Sequence, residues 1–341
     1  MLQRPALTPP VSDAARAPHW PYTERDLTVL GQTLHIREAG SGPLVVLCHG
    51  FPECGHSWAA QLAALAAAGY HAVAPDMRGY GGSYAPHAVD QYTLFHLVGD
   101  IIGLIDALGA PRAVVVGHDW GAPVAWWCGM LRPDRVRGVL GLSVPFFPRP
   151  SVAPSLAMPQ TADAVFYQTY FCEEGRAEAE LQADLRATLR KIAVLWSGDS
   201  PEPDAQRLTM VPRSGGLLTQ HALPDALPRW VTEADLDVYQ RAFTQSGFRG
   251  PLNWYRNIDR NWSLTAPWHG APFPVPARYL VGARDLVLQF RAMDRVLQHM
   301  PQWMSQLRGQ TVLPGIGHWI QREAAAEVNH ALLEFLAGLP A

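Results

Sequence analysis

A β-branched run, Val114-Val115-Val116, leads directly into Gly117-His118-Asp119-Trp120-Gly121 and then into an alanine-containing apolar segment that opens with Ala122. Few folds accommodate such a stretch. The branched run favours a buried strand, the flanking glycines permit a sharp turn, and the segment that follows starts a helix. A carboxylate occupies the tip of the turn. Five residues of this kind also suit any strand end, because Gly and Asp are common turn formers. The rest of the chain has to decide between the two readings.

Strand-like and helix-like segments alternate on both sides of this turn. Leu44 to Cys48 is a short aliphatic run between Gly42-Pro43 and His49-Gly50, and Gln61 to Ala68 reads as a helix. Tyr70 to Pro75 is a second apolar run, closed by Asp76-Met77-Arg78-Gly79-Tyr80-Gly81-Gly82-Ser83. Leu94 to Leu108 has helical spacing, Ala113 to Val116 is the strand before the turn, and Val136 to Val144 is the next strand. This alternation predicts a parallel sheet with right-handed crossovers. From residue 148 to about 270 the chain becomes helical, proline-interrupted and aromatic-rich, without aliphatic strand runs. Strands return at Ala277 to Val281 and Gln310 to Leu313. The expected organisation is a leader over 1–25, a sheet domain over 26–147 and 271–341, and a helical cap inserted over 148–270.

With 341 residues, 48% hydrophobic and 17% charged, the chain can hold one large domain or one domain plus an insertion. A net charge of −3 provides no basic surface for nucleic acid. Cys48, Cys54, Cys128 and Cys172 lack metal-type spacing and suit structural thiols in a reducing compartment. The first 25 residues have no cationic region followed by an apolar core, so they do not read as a signal peptide. No apolar stretch reaches membrane-spanning length. A cytoplasmic location is expected, and the sequence neither requires nor forbids a homodimer.

The strand–turn–helix stretch has the form of the nucleophile elbow of the α/β-hydrolase fold, with Asp119 in place of serine. A carboxylate is a poor nucleophile toward esters and amides. It can instead displace a leaving group from an activated sp³ carbon, giving an alkyl ester on the protein that water must cleave. In this fold the chain order is nucleophile, acid, histidine. Asp285, just past the run ending Leu280-Val281, and His318, in Gly315-Ile316-Gly317-His318-Trp319, supply the acid and the base in that order. His49-Gly50-Phe51-Pro52-Glu53 follows the first buried strand, where one backbone N–H of an oxyanion hole is commonly found. The expected donors are therefore Phe51 and Trp120. No metal or organic cofactor is expected.

On these residues the chain resembles the α/β-hydrolase-fold epoxide hydrolases. The resemblance extends from about residue 33 to the C-terminus. It includes two stretches of the insertion, Tyr167-Gln168-Thr169-Tyr170-Phe171 and Phe248-Arg249-Gly250-Pro251-Leu252-Asn253-Trp254-Tyr255-Arg256-Asn257. It implies a small-molecule epoxide as substrate and a pair of acidic phenols, Tyr167 and Tyr255. Opening an epoxide creates an alkoxide, and phenols can polarise and protonate it. Tyr170, one helical turn from Tyr167, is expected to pack. The resemblance also implies a water-positioning role for Glu53 and His118. Trp120, Phe166 and Trp319 are candidate pocket walls, with Leu195, Trp196 and Met210 as further candidates. A haloalkane or haloacid dehalogenase would share the Asp nucleophile but has no need of acids, because halide leaves unprotonated. A non-catalytic ligand-binding homologue would need neither triad nor phenols.

Overall fold

The computed structural model describes residues 20–201 and 204–340. Two polar strands come first, Thr23–Val29 (β1) and Gln32–Ala39 (β2), followed by Leu44–Cys48 (β3), Ala59–Ala67 (α1) and His71–Pro75 (β4). Next are Leu94–Ala107 (α2), Ala113–His118 (β5), Gly121–Leu131 (α3) and Val136–Leu142 (β6). The insertion contains Ala164–Phe166 (β7), Tyr167–Cys172 (α4), Arg176–Ala183 (α5), Leu185–Leu195 (α6), Ala205–Thr209 (α7) and Met210–Pro212 (β8). Its second half contains Glu233–Ser246 (α8), Arg249–Arg256 (α9) and Ile258–Leu264 (α10). The chain then returns to the sheet through Ala277–Gly282 (β9), Met293–Trp303 (α11) and Leu307–Leu313 (β10), and ends with Ile320–Glu323 (α12) and Ala325–Ala337 (α13).

The large sheet has the order β1-β2-β4-β3-β5-β6-β9-β10. β1, β2 and β4 pair antiparallel, and every other neighbouring pair is parallel. The central strands are buried on both faces, as expected when helices cover both sides of a parallel sheet. The side-chain period of two divides the core. Val45, Leu47, Val114, Val116, Leu140 and Leu280 pack on α1 and α13 through Leu62, Leu65, Val328, Leu332 and Phe335. Val46, Val115, Val139 and Val281 face the other way, onto α2 and α3. Among the described residues no helix is long and apolar enough to cross a membrane.

Two features depart from the sequence expectations. The leader was expected to reach residue 25, yet β1 begins at Thr23 and Trp20 and Tyr22 pack on His56. Most of β1 is exposed, so its sequence, TERDLTV, carries no core signal. Residues 1–19 of that leader lie outside the described residues. The insertion is not purely helical either, since β7 and β8 form a short antiparallel pair. At three residues each, these strands are too short to show a period. Asp76 and Arg78, prominent in the sequence, serve as scaffold. Asp76 pairs with Arg37 and accepts from the Gly55 and Gly82 amides, while Arg78 grips Asp100 at 2.5 and 2.6 Å.

Candidate active site

Asp119 sits between the end of β5 and the start of α3 with φ of +50°, a left-handed conformation uncommon outside glycine. The turn is so tight that a Cβ on Gly121 would lie 2.1 Å from the Cys48 carbonyl oxygen, so the helix starts against the end of β3. The arrangement places the Asp119 carboxylate beside the loop that leaves β3. The Phe51 amide donates to Asp119 Oδ1 at 2.7 Å, and the Trp120 amide, next in the chain, also favours the charged carboxylate. The dipole of α3 adds positive potential at this point. Burial pushes the Asp119 carboxyl above its usual range, and the neighbouring imidazoles and these amides pull it partly back.

His318 and Asp285 come from the loops that follow β10 and β9. His318 Nε2 lies 3.6 Å from Asp119 Oδ2, and its Nδ1 lies 3.0 Å from Asp285 Oδ1. Asp285 is fully buried, and its Oδ1 also accepts from the Val287 amide at 2.9 Å. Burial alone would lower the His318 pKa. The charge and hydrogen bond of Asp285, with the Asp119 charge added, reverse this and raise it to about 9. Ser143 Oγ lies 3.2 Å from the same Nδ1, held by a backbone with φ of +69° and by the Tyr279 hydroxyl on its carbonyl at 2.6 Å. Ser143 was not anticipated. Its only sequence signal is its position at the end of β6.

Glu53 and His118 meet behind the elbow. His118 Nδ1 lies 2.7 Å from Glu53 Oε2, and His118 Nε2 lies 2.7 Å from the His318 carbonyl oxygen. Gln321 donates to Glu53 Oε1 at 2.7 Å, a contact the sequence did not reveal. Burial would raise the Glu53 pKa, but the charge and hydrogen bond of His118, with His49 and Ser57 added, outweigh it and hold the carboxyl at about 2.

The insertion brings Tyr167 and Tyr255 over the elbow. The Tyr255 ring packs edge-on against Phe51 at 5.5 Å and Trp120 at 5.2 Å, and Tyr167 lies 6.1 Å from Tyr255. Burial, then the Asp119 charge, push both phenols far above their ordinary range, so both keep their protons. Gln168 donates to the Tyr167 oxygen at 3.1 Å, which leaves the phenolic proton available to another acceptor. Tyr170 instead donates to Glu180 at 2.8 Å and belongs to the insertion's own packing.

The candidate pocket walls separate. Trp120 faces Trp254 and Tyr255, and Phe166 packs on Tyr167 and Phe290. Trp319 stacks on Trp196 behind the two histidines and donates to the Ala193 carbonyl. Leu195, Trp196, Leu286 and Phe290 line a cavity of about 460 Å³, and Trp196 and Phe290 also touch Tyr167. Met210 pairs with Phe166 across β7 and β8. Among the described residues no cluster of three or more His, Cys, Asp or Glu side chains could hold a metal ion.

The chain is similar to known proteins in sequence and in overall fold. The family model described as alpha/beta hydrolase fold matches residues 43–325. Epoxide hydrolase A of Mycobacterium tuberculosis is 43% identical over 320 residues, covering 93% of this chain and 98% of that protein. Bifunctional epoxide hydrolase 2 of Sus scrofa is 40% identical over 339 residues, covering 98% of this chain but 58% of that longer protein. A solved epoxide hydrolase from an endophytic Streptomyces superposes with a TM-score of 0.90 at 43% identity, covering 93% of this chain and 96% of its own.

Proposed function

The chain belongs to the epoxide hydrolases of the α/β-hydrolase fold, and on that premise we propose that it converts a small-molecule epoxide to a vicinal diol through an alkyl ester on Asp119. The observation that carries this reading is the Asp119 carboxylate itself. One oxygen is held by the Phe51 amide, and the other is 3.6 Å from the His318 imidazole, beneath two protonated phenols. In the first step Asp119 attacks an epoxide carbon while Tyr167 and Tyr255 donate to the ring oxygen, and one phenol proton passes to the nascent alkoxide. In the second step His318, oriented by Asp285, takes a proton from water. The hydroxide attacks the ester carbon, and the Phe51 and Trp120 amides stabilise the oxyanion. As this intermediate collapses the ester C–O bond breaks, the diol leaves with the proton held by His318, and the Asp119 carboxyl returns a proton to the phenolate. Glu53 and His118 position that water. On this scheme the protein's own side chains carry both steps without a cofactor.

Isotope labelling tests the covalent route. In one turnover in ¹⁸O-water with enzyme in excess, the first diol should be unlabelled and the label should appear in the peptide containing Asp119. Over many turnovers the diol becomes labelled as the carboxylate exchanges its oxygens. A labelled diol in the first turnover, with an unlabelled Asp119 peptide, would show that water attacks directly and demote Asp119 to a base.

The raised His318 pKa leads to a second test. At about 9, the resting imidazole is mostly protonated at neutral pH and cannot act as a base. Esterification removes the Asp119 charge, one of the groups holding that proton, so the His318 pKa must fall in the intermediate. Only the neutral imidazole activates water, so ester hydrolysis should rise with pH through the lowered value. The expected result is a midpoint for the hydrolytic step clearly below the His318 midpoint measured by NMR titration of the free enzyme. Coincident midpoints would remove Asp119 as a contributor.

A further inference from the structure

Glu323, at the end of α12, plays no part in the scheme above, yet it touches three backbone amides of the site. Its Oε2 accepts from Gly317 N at 2.9 Å and Gly198 N at 2.8 Å, and its Oε1 accepts from Trp319 N at 3.1 Å. Gly317 and Trp319 flank His318 in sequence. Gly198 belongs to the insertion, in the turn after α6. The same turn receives the His318 amide, which donates to the Trp196 carbonyl at 2.9 Å. The two backbones approach so closely that a Cβ on Gly317 would lie 2.1 Å from Gly198 N. A single carboxylate therefore spans the junction between the base-bearing loop and the cap.

We propose that Glu323 is a positioning residue for His318, clipping the amides on either side of the base to the Trp196–Gly198 turn so that the imidazole stays in register for ester hydrolysis. A carboxylate suits this role because it can accept with both oxygens and has no proton to turn on an amide. Its hydrogen bonds to backbone N–H groups are also charge-assisted. Glutamine presents one carbonyl oxygen and one NH2, so at least one amide loses its acceptor and faces a donor. The inference rests on the two-step reading, because only the second step requires the base.

The test is Glu323→Gln, with Glu323→Asp as the conservative rescue, using styrene oxide as probe. Rapid-quench mass spectrometry of single turnovers gives the alkylation and hydrolysis rates separately. A shift of about 1 Å in a catalytic group can cost on the order of 100-fold. Hydrolysis is therefore expected to slow by about 10- to 100-fold in Glu323→Gln, while alkylation stays within about twofold and ester accumulates at steady state. Asp, which keeps both acceptor oxygens, should restore part of the loss. Unchanged hydrolysis, or equal slowing of both steps, overturns the positioning role, the second outcome indicating general damage to the fold. The wild-type ¹⁸O experiment reports separately on the two-step reading. If label reaches Asp119 in wild type but Glu323→Gln hydrolyses normally, the clip alone is wrong.

Discussion

Replacing His318 with glutamine is expected to give an enzyme that alkylates once and stops. Attack by Asp119 needs an ionised carboxylate but no base, whereas ester cleavage needs the imidazole to take a proton from water. Loss of a general base typically costs about 10²- to 10⁴-fold. Turnover should fall by that order, while intact-protein mass spectrometry after epoxide addition shows one adduct of substrate mass. Electrostatics set the assay conditions. The imidazole is the largest of the groups drawing the Asp119 pKa down against burial, so its removal raises that pKa further and slows alkylation at acid pH. The adduct should therefore form more readily at neutral to alkaline pH than at acid pH. His318→Gln also leaves Asp285 buried without its principal partner, which costs stability. Asp285→Asn/His318→Gln relieves that burden and should trap the same adduct. A folded variant of either kind that forms no adduct while wild type turns over would overturn the covalent scheme.

The features legible in the sequence are those set by local geometry. The elbow could be read because a branched strand, a glycine-flanked turn and a helix start lie within one short stretch, and the structure places Asp119 at its tip. Asp285 and His318 could be read because each follows an apolar run, and the ends of parallel strands converge on one edge of the sheet. Contacts between distant segments could not be read. Ser143 reaches His318 across 175 positions, Gln321 reaches Glu53 across 268, and Glu323 reaches Gly198 across 125. Each looks in sequence like an ordinary polar residue.

The junction between cap and core extends this pattern. Asp235 of α8 lies 2.7 Å from His56 Nε2 and 2.8 Å from Arg322 Nη2, and Trp254 Nε1 donates to the Arg78 carbonyl at 3.1 Å. Arg322 and Glu323 are adjacent, so α12 holds the cap at two points directly after the loop that carries His318. The sequence marks α12 only as a short polar segment after the histidine. Its role comes from the insertion folding back over the sheet, an event no local period encodes. Tyr167 and Tyr255 belong to the same class. Nothing in their own segments distinguishes them from packed aromatics, and only the resemblance singled them out.

Removing both phenols is expected to have the largest effect on the first step. Tyr167→Phe and Tyr255→Phe each delete one hydroxyl and leave the rings. The edge contacts of Tyr255 with Phe51 and Trp120, and of Tyr167 with Phe171, should survive. By analogy with oxyanion-hole donors, each lost hydroxyl should cost about 2–4 kcal/mol of transition-state stabilisation, roughly 30- to 1000-fold in alkylation rate. The two donors act on one oxygen, so their losses need not add. The double variant should still fall well below either single variant, because neither phenol over the elbow then remains to protonate the alkoxide. Leaving-group chemistry makes the test specific. An epoxide oxygen departs as a strong base and needs a proton, while a halide departs without one. Alkylation by styrene oxide should collapse in the double variant, while any slow alkylation of Asp119 by an activated alkyl halide should be nearly unaffected. If the double variant opens styrene oxide within about tenfold of the wild-type rate, the phenols are packing residues and another group supplies the proton.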